Sequence, residues 1–249
     1  MKNWIGIGQS ETGLVRTMNQ DAFLVLDHLS LWAVADGMGG HVGGEIAAQL
    51  AIATIQAQVE SSGDLLRTRQ RDPTDLLKEW VLAGHEAILR RANSEHKLRG
   101  MGTTIVLAAI LLLPTPTIYI AHVGDSRAYR FRLGTLTALT KDHTLIEQYL
   151  SRGILTAESA KTHPERHVLT RALGMQSPVK ASVSASPLQQ DDCFVLCSDG
   201  LTKMLEDEQI ASILAETTGN PTHACDRLIQ ESLERGGEDN VTVIVMANV

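Results

Sequence analysis

Hydrophobic positions along this chain recur with two different periods. Runs that are apolar, or that alternate apolar with polar residues, predict strands at residues 4–8, 22–26, 31–35, 103–112, 117–123, 127–132, 179–185, 193–197 and 241–247. Apolar residues spaced by three and four predict helices at 44–60, between Pro73 and Arg91, and from Pro221 to Arg235. Because these helices do not alternate with the strands, the pattern favours an α+β fold in which helices cover mostly antiparallel sheets.

The pattern changes between Thr140 and Gly174, where short helical pieces follow one another: TLIEQYLSRG, TAESAKT and ERHVLTRALG. We interpret this part as a small subdomain that is inserted between strands and has no core of its own. No linker, repeat or low-complexity segment divides the chain, so we expect residues 1–249 to form one domain.

Composition narrows the functional classes. The chain is 43% hydrophobic and 20% charged, which is typical of a globular protein, and a net charge of −7 argues against nucleic-acid binding. The N-terminus lacks the apolar core of a signal peptide, and the longest apolar run, 105–114, is too short to cross a membrane. Cys193 and Cys197 lie on one face of a predicted strand, which indicates reduced core residues and a cytoplasmic location.

Acidic residues stand at the tips of the predicted strands. They are Asp21, Asp36, Asp125, Asp199 and Asp239. A single Asp at such a place is usually a turn or capping residue. Strands stacked in sheets bring their ends together, however, so five such residues can converge at one edge.

Clustered carboxylates raise one another's pKa unless a cation lies among them. Oxygen ligands suit Mg²⁺ or Mn²⁺, and the lack of His or Cys ligand spacing argues against zinc. Gly37 lets a backbone carbonyl turn inward as a further ligand. Two ions bridged by one of these aspartates would acidify a shared water for attack on a phosphate ester, with Arg16 as a bidentate phosphate holder.

Two other readings of the glycine-rich stretch fail. The segment GMGGHVG departs by one residue from the dinucleotide-binding fingerprint, and the Asp before it would repel a pyrophosphate. No Gly-Lys-Ser/Thr follows it, which excludes a P-loop.

Seven motifs follow one another between residues 13 and 246: GLVRTMNQD, VADGMGGHVGGE, MGTT, AHVGDSRAYR, TKDHT, CSDGLT and GGEDNVTVIV. In this order they resemble the PPM (type 2C) family of metal-dependent Ser/Thr protein phosphatases, in its compact bacterial form. The resemblance implies an αββα sandwich of two antiparallel sheets flanked by helices. It also implies that residues 141–173 are a flap beside the active site, which either selects substrates or simply covers a sheet edge.

The resemblance also implies roles by position. Asp36 would bridge two core ions, with the carbonyl of Gly37 on one of them and Asp199 and Asp239 on the other; these three aspartates would be the catalytic ones. A third, weaker ion would lie between Asp125 and Asp199. Asp21 would act on the second core ion through water, Arg16 would bind the substrate phosphate, and Asn240 would orient the last ligand.

Two positions depart from the animal relatives. Gln20 replaces a Glu, so the second ion should bind less tightly and depend more on water. Met38 replaces a His that is proposed as the general acid, and Met cannot donate a proton. A metal-bound water or His41 could serve instead, and His41 could equally contact the substrate or stabilise its loop.

The family resemblance therefore implies an Mn²⁺- or Mg²⁺-dependent phosphatase that hydrolyses phosphoserine and phosphothreonine on proteins by direct attack of a metal-bridging hydroxide. No Cys is followed by Arg at the spacing of a phosphocysteine enzyme. We expect a monomeric signalling enzyme that counteracts Ser/Thr kinases, without nucleic-acid or membrane partners. A catalytically silent phosphoprotein-binding module and a hydrolase of small phosphoesters are the alternatives.

Overall fold

A computed structural model describes residues 3–38, 42–175 and 178–248 of the protein. Its strands are β1 (Trp4–Glu11), β2 (Asp21–Leu26), β3 (Leu31–Met38), β4 (Gly102–Thr103), β5 (Ile105–Leu111), β6 (Thr117–Val123), β7 (Arg127–Arg132), β8 (Thr135–Ala138), β9 (Ser182–Pro187), β10 (Cys193–Cys197) and β11 (Val241–Asn248). Its α-helices are α1 (Val42–Arg67), α2 (Pro73–Ser94), α3 (Leu145–Ser151), α4 (Ala157–Lys161), α5 (Asp199–Met204), α6 (Asp207–Glu216) and α7 (Pro221–Glu234).

The strands form two antiparallel sheets. One has the order β1-β11-β10-β7-β8, and the other has the order β2-β3-β5-β6-β9 with the short β4 beside β3. Alternate residues of each strand point to opposite faces, so Phe194 and Leu196 of β10 face the other sheet while Val195 and Cys197 face helices. The alternation thus builds separate core layers on the two faces of each sheet.

Three apolar layers hold the sandwich together. The layer between the sheets contains Trp4, Trp32 and Phe194. Helices α1 and α2 pack on the second sheet, where the small residues Ala47 and Ala51 allow a close approach. Helices α6 and α7 pack on the first sheet. The layers confirm the predicted α+β class and the αββα sandwich.

The structure corrects two local predictions. Strand β3 does not stop at Ala35 but continues through Asp36 to Met38, because β4 pairs with its end. The segment ERHVLTRALG is not a helix. Its backbone pairs outward instead: the Leu173 amide donates to the Thr103 carbonyl at 2.8 Å, and the Thr170 amide donates to the His143 carbonyl at 2.7 Å.

Some elements were not predicted from the sequence. Strand β8 and helices α5 and α6 lie in stretches without a clear period, and α6 begins with a capping box formed by Glu206 and Gln209. None of the helices in the described ranges has the length and apolar character that crossing a bilayer requires.

Candidate metal centre

The five aspartates predicted from the sequence reach one place in the fold, and we call them the acidic centre. Asp21 and Asp36 lie opposite each other in the register of β2 and β3. Asp125 follows β6, Asp199 begins α5 directly after β10, and Asp239 precedes β11. All except Asp21 line a cleft of about 630 Å³, together with Arg16 and Gly37. Asp21 is buried directly behind it.

Asp36 lies at the floor of this cleft. Burial, followed by the charges of Asp21 and Asp199, raises the pKa of Asp36 well above its usual value. Two hydrogen bonds fix its backbone carbonyl, which accepts from the Thr103 hydroxyl at 2.9 Å and from the Thr104 amide at 2.8 Å. The MGTT motif therefore holds the central carboxylate in position.

Asp21 connects the two sheets. Its Oδ2 accepts hydrogen bonds from the hydroxyls of Ser198 and Thr242, both at 2.7 Å, whereas its Oδ1 is buried without a partner. Burial is the main reason that its pKa rises to about 7, and the charges of Asp199 and Asp239 add to the effect. Asp21 is thus held rigidly with one oxygen free for a ligand.

Asp125 also has a raised pKa. Its pKa rises to about 7, because it is buried and because Asp199 and Asp142 are close, while Lys203 partly offsets this. A carboxylate with such a pKa is one that the protein alone does not stabilise in its charged form.

Two cations of the chain itself contact the acidic centre. Lys203 donates to Oδ2 of both Asp199 and Asp239 at 2.7 Å, and Arg16 donates to both oxygens of Asp239 at 2.9 and 3.0 Å. Although burial opposes it, the hydrogen bond and charge of Lys203 lower the pKa of Asp239.

The glycine after each of two aspartates is required by close packing. A Cβ on Gly37 would overlap the carbonyl oxygen of Gly44 and lie 2.6 Å from that of Gln20, and a Cβ on Gly200 would overlap the carbonyl of Asn240. The absence of a side chain after Asp36 and Asp199 therefore lets neighbouring backbone segments pack closely beside the acidic centre.

Asn240 fixes the loop that carries Arg16. Its Oδ1 accepts from the Gln20 amide at 2.9 Å, and its Nδ2 donates to the carbonyls of Thr12 and Met18, both at 2.8 Å. The Asn240 side chain thus orients the N-terminal loop, and its amide donates to Oδ1 of Asp239 at 2.9 Å.

The donor set suits a hard cation. Asp21 and Asp199 each keep a buried oxygen without a partner, and the pKa values of Asp21, Asp36 and Asp125 are raised by mutual proximity and burial. A divalent ion with oxygen preference relieves both costs. As the side chains stand, no three acidic, His or Cys groups among the described residues are gathered closely enough to hold an ion. An ion would therefore have to draw them together.

The comparison with protein families decides which group of proteins this site belongs to. The family model described as Protein phosphatase 2C matches residues 14–235 of the chain. The chain belongs to the protein phosphatase 2C family. Membership confirms the resemblance seen in the seven motifs.

Other 2C phosphatases match this family member over nearly its whole length. The serine/threonine phosphatase stp of Listeria welshimeri is 35% identical over 241 residues, which are 96% of this chain and 93% of the relative. PstP of Mycobacterium tuberculosis is 39% identical over 95% of this chain, which spans 43% of that longer protein.

Solved 2C phosphatases share the fold. A crystal structure of the M. tuberculosis phosphatase PstP/Ppp superposes with a TM-score of 0.87 at 35% identity, covering 99% of both chains. The catalytic domain of PstP, solved with two manganese ions, has a TM-score of 0.82 at 33% identity and covers 100% of both chains.

The structure of this 2C-family chain adds two residues to the predicted site. Lys203 lies four residues after Asp199 and thus on the same face of α5, but this helix has no clear period in the sequence, so the spacing was not a usable signal. His167 also lines the cleft, and no local signal marks it. Met38 lines the cleft as expected, whereas His41 lies outside the described residues.

Proposed function

We propose that this 2C-family chain is a metal-dependent protein phosphatase that hydrolyses phosphoserine and phosphothreonine. The observation that carries the proposal is the convergence of aspartates from separate elements, four of them lining one cleft and Asp21 buried beside it, with buried carboxylate oxygens left for a ligand. A pure binding module has no need of this costly arrangement.

The proposed ligand set is the one that the family resemblance implies, and the convergence of these side chains supports it. Asp36 would bridge two ions, with the Gly37 carbonyl on one and Asp199 and Asp239 on the other. Asp21 would act on the second core ion through water, and Asp125 with Asp199 would hold a weaker third ion. When bound, such ions act as Lewis acids and acidify a water molecule for attack at neutral pH.

The chain's cysteines support direct attack on phosphorus without a covalent cysteine intermediate. Burial raises the pKa of Cys193, Cys197 and Cys225 to about 12 each. Since the thiolate is the reactive form, these neutral thiols cannot serve as nucleophiles.

Arg16 is suited to hold the substrate phosphate. Its side chain is 53% exposed at the cleft, although its inner side pairs with Asp239. The planar fork of a guanidinium binds two phosphate oxygens at once, so an incoming phosphate can engage Arg16 from the open side. His41 as a second substrate contact stays a prediction.

Finer assignments belong to the same proposal. The two manganese ions of the PstP structure support Mn²⁺ here, with Mg²⁺ as the alternative. The substrates would be products of Ser/Thr kinases in the cytoplasm. The protein would act as a monomer and a single domain, 1–249, without nucleic-acid or membrane partners, which its net charge of −7 supports. The flap, 141–173, would select substrates.

Phosphate release from phosphoserine and phosphothreonine peptides tests the function. Chelator-treated protein should release no phosphate until Mn²⁺ or Mg²⁺ is added back. Binding of the peptides without turnover in either metal would indicate a silent module. Turnover of aryl phosphates but not of peptides would indicate a hydrolase of small phosphoesters.

A further inference from the structure

Lys203 takes a central place in the acidic centre that the assigned ligand roles do not explain. It lies in the last turn of α5, four residues after Asp199, and its side chain is 24% exposed. Its ammonium is 2.7 Å from Oδ2 of Asp199 and 2.7 Å from Oδ2 of Asp239. One cation of the chain therefore joins carboxylates from two separate elements.

The contacts of Lys203 use the oxygens that an ion would need. Both oxygens of Asp239 accept from cationic side chains, since Arg16 holds the same carboxylate. Asp199 has Oδ2 on Lys203 and Oδ1 buried without a partner. The ammonium therefore competes directly with an ion for Oδ2 of both aspartates.

We propose that Lys203 is a tethered counter-ion, which pairs Asp199 with Asp239 in the metal-free protein and which a divalent ion must displace in order to bind. The proposal rests on the proposed function, because it takes Asp199 and Asp239 as metal ligands. It follows that Lys203 stabilises the metal-free fold and weakens metal affinity.

The physical reason is competition for the same carboxylate oxygens. Each oxygen has two lone pairs, and a charge-assisted hydrogen bond from the ammonium takes one of them and makes the oxygen a weaker donor to an ion. The ammonium also repels an incoming cation at short range.

Replacement of Lys203 by Met keeps most of the side-chain length and removes the charge. Titration calorimetry of chelator-treated protein with Mn²⁺, without substrate, should show binding about tenfold or more tighter in Lys203→Met than in the wild type. In chelator the variant should unfold at a lower temperature, and its increase in Tm on adding Mn²⁺ should exceed that of the wild type.

Lys78→Met is the matched control, because Lys78 pairs with Asp75 one helical turn away on the exposed face of α2. It removes the same charge at a distance and should leave Mn²⁺ affinity unchanged at physiological ionic strength. Equal or weaker Mn²⁺ affinity in folded Lys203→Met would overturn the proposal.

Two further outcomes are decisive. If Lys203→Met does not fold without metal, Lys203→Arg retains the cation and should bind Mn²⁺ no more tightly than the wild type; a gain in affinity would refute the counter-ion role. If the wild type binds no Mn²⁺ at all, the proposed metal function fails, and the counter-ion proposal fails with it. Tight wild-type binding that Lys203→Met leaves unchanged overturns the counter-ion alone.

Discussion

Asp125, Asp199 and Asp239 of the acidic centre share a cleft of about 790 Å³ with Arg127 and Asp142 of a neighbouring charged group, but the two groups satisfy their polar atoms in opposite ways. The neighbour, which we call the arginine network, consists of Arg127, Tyr129, Asp142 and Asp207. Arg127 donates to both carboxylate oxygens of Asp142 at 2.9 and 2.8 Å, and to the Tyr129 hydroxyl at 2.9 Å. That hydroxyl in turn donates to Asp207 at 3.0 Å.

The arginine network is complete within the chain, and the acidic centre is not. Among the described residues, no polar side-chain atom of the network is buried without a partner, whereas Asp21 and Asp199 each have one. Opposite charges in the network stabilise one another, while like charges in the acidic centre raise pKa values. In a structural cluster the polar atoms are satisfied by hydrogen bonds within the protein. In a functional cluster some polar atoms stay available to a ligand.

The largest effect should come from a ligand of the acidic centre. Asp199→Asn removes a charge that the proposed ions need, while keeping the side-chain shape. Mutation of a residue that hydrogen-bonds to a metal ligand typically lowers metal affinity or activity by about 10–100-fold. Loss of the proposed ligand itself should therefore lower phosphopeptide turnover by more than about 100-fold. Steady-state phosphate release measures this.

The same replacement in the arginine network provides the control. Asp207 also begins a helix, α6, and accepts only from the network's Tyr129 hydroxyl among the hydrogen bonds described for its carboxylate. Asp207→Asn should retain turnover within about threefold, since it lies outside the ligand set. Equal losses in both variants would erase the distinction between the two groups.

Within the acidic centre, Asp125→Ala should have a narrower effect. It removes a proposed ligand of the third ion only, so that ion should bind at least about tenfold more weakly while the two core ions stay bound. Calorimetric titration with Mn²⁺ resolves the binding steps. Loss of the core pair would contradict the assignment of Asp125.

Within the arginine network, Tyr129→Phe should affect stability rather than metal binding. It deletes a hydroxyl that both Arg127 and Asp207 contact, so the free energy of unfolding should fall by about 1–2 kcal/mol. Urea denaturation measures the loss. If the free energy of Mn²⁺ binding changed by as much as the free energy of unfolding, the network and the acidic centre would be coupled.

A pH-dependent effect concerns a buried neutral pair beside the network. The ring of His143 stacks on that of His122 with centroids 4.5 Å apart, and Arg171 faces it from the flap at 3.2 Å. Burial, then His122 and Arg171, lowers the pKa of His143 to about 3. Because the unfolded chain binds this proton first, the contribution is present above about pH 6.5 and is lost as pH falls towards 3.

His143→Gln should therefore flatten the pH dependence of unfolding. Between pH 6.5 and 4 the wild type should lose more stability than the variant, as measured by urea unfolding at each pH. Parallel curves would mean that His143 is already protonated in the folded protein.

The sequence predicted the parts of the fold that have a local period. All nine predicted strands are present, because alternating apolar residues report half-buried strands and short continuous apolar runs, as in β5, report strands buried on both faces. Strand β8 was not predicted because it is a short, mostly exposed edge strand. Helix α5 was not predicted because six residues are too few to show a helical period.

The acidic centre could also be predicted from a local pattern, but the hydrogen bonds that hold its side chains in place could not. Strand ends cluster in any sandwich, so an Asp at each tip predicts convergence. The hydroxyls that hold Asp21 belong to Ser198 and Thr242, which are 177 and 221 residues away in sequence. Such contacts depend on tertiary packing, for which a single sequence has no local signal.

Strand β11 lies between β1 and β10, although it is the last strand in chain order. Asp239 and Asn240 stand at its start, and Thr242 within it holds Asp21. During synthesis, therefore, the proposed ligand set would stay incomplete until these residues have left the ribosome. A nascent chain would then be unable to act on phosphoproteins around it, and catalysis would begin only when translation has passed β11.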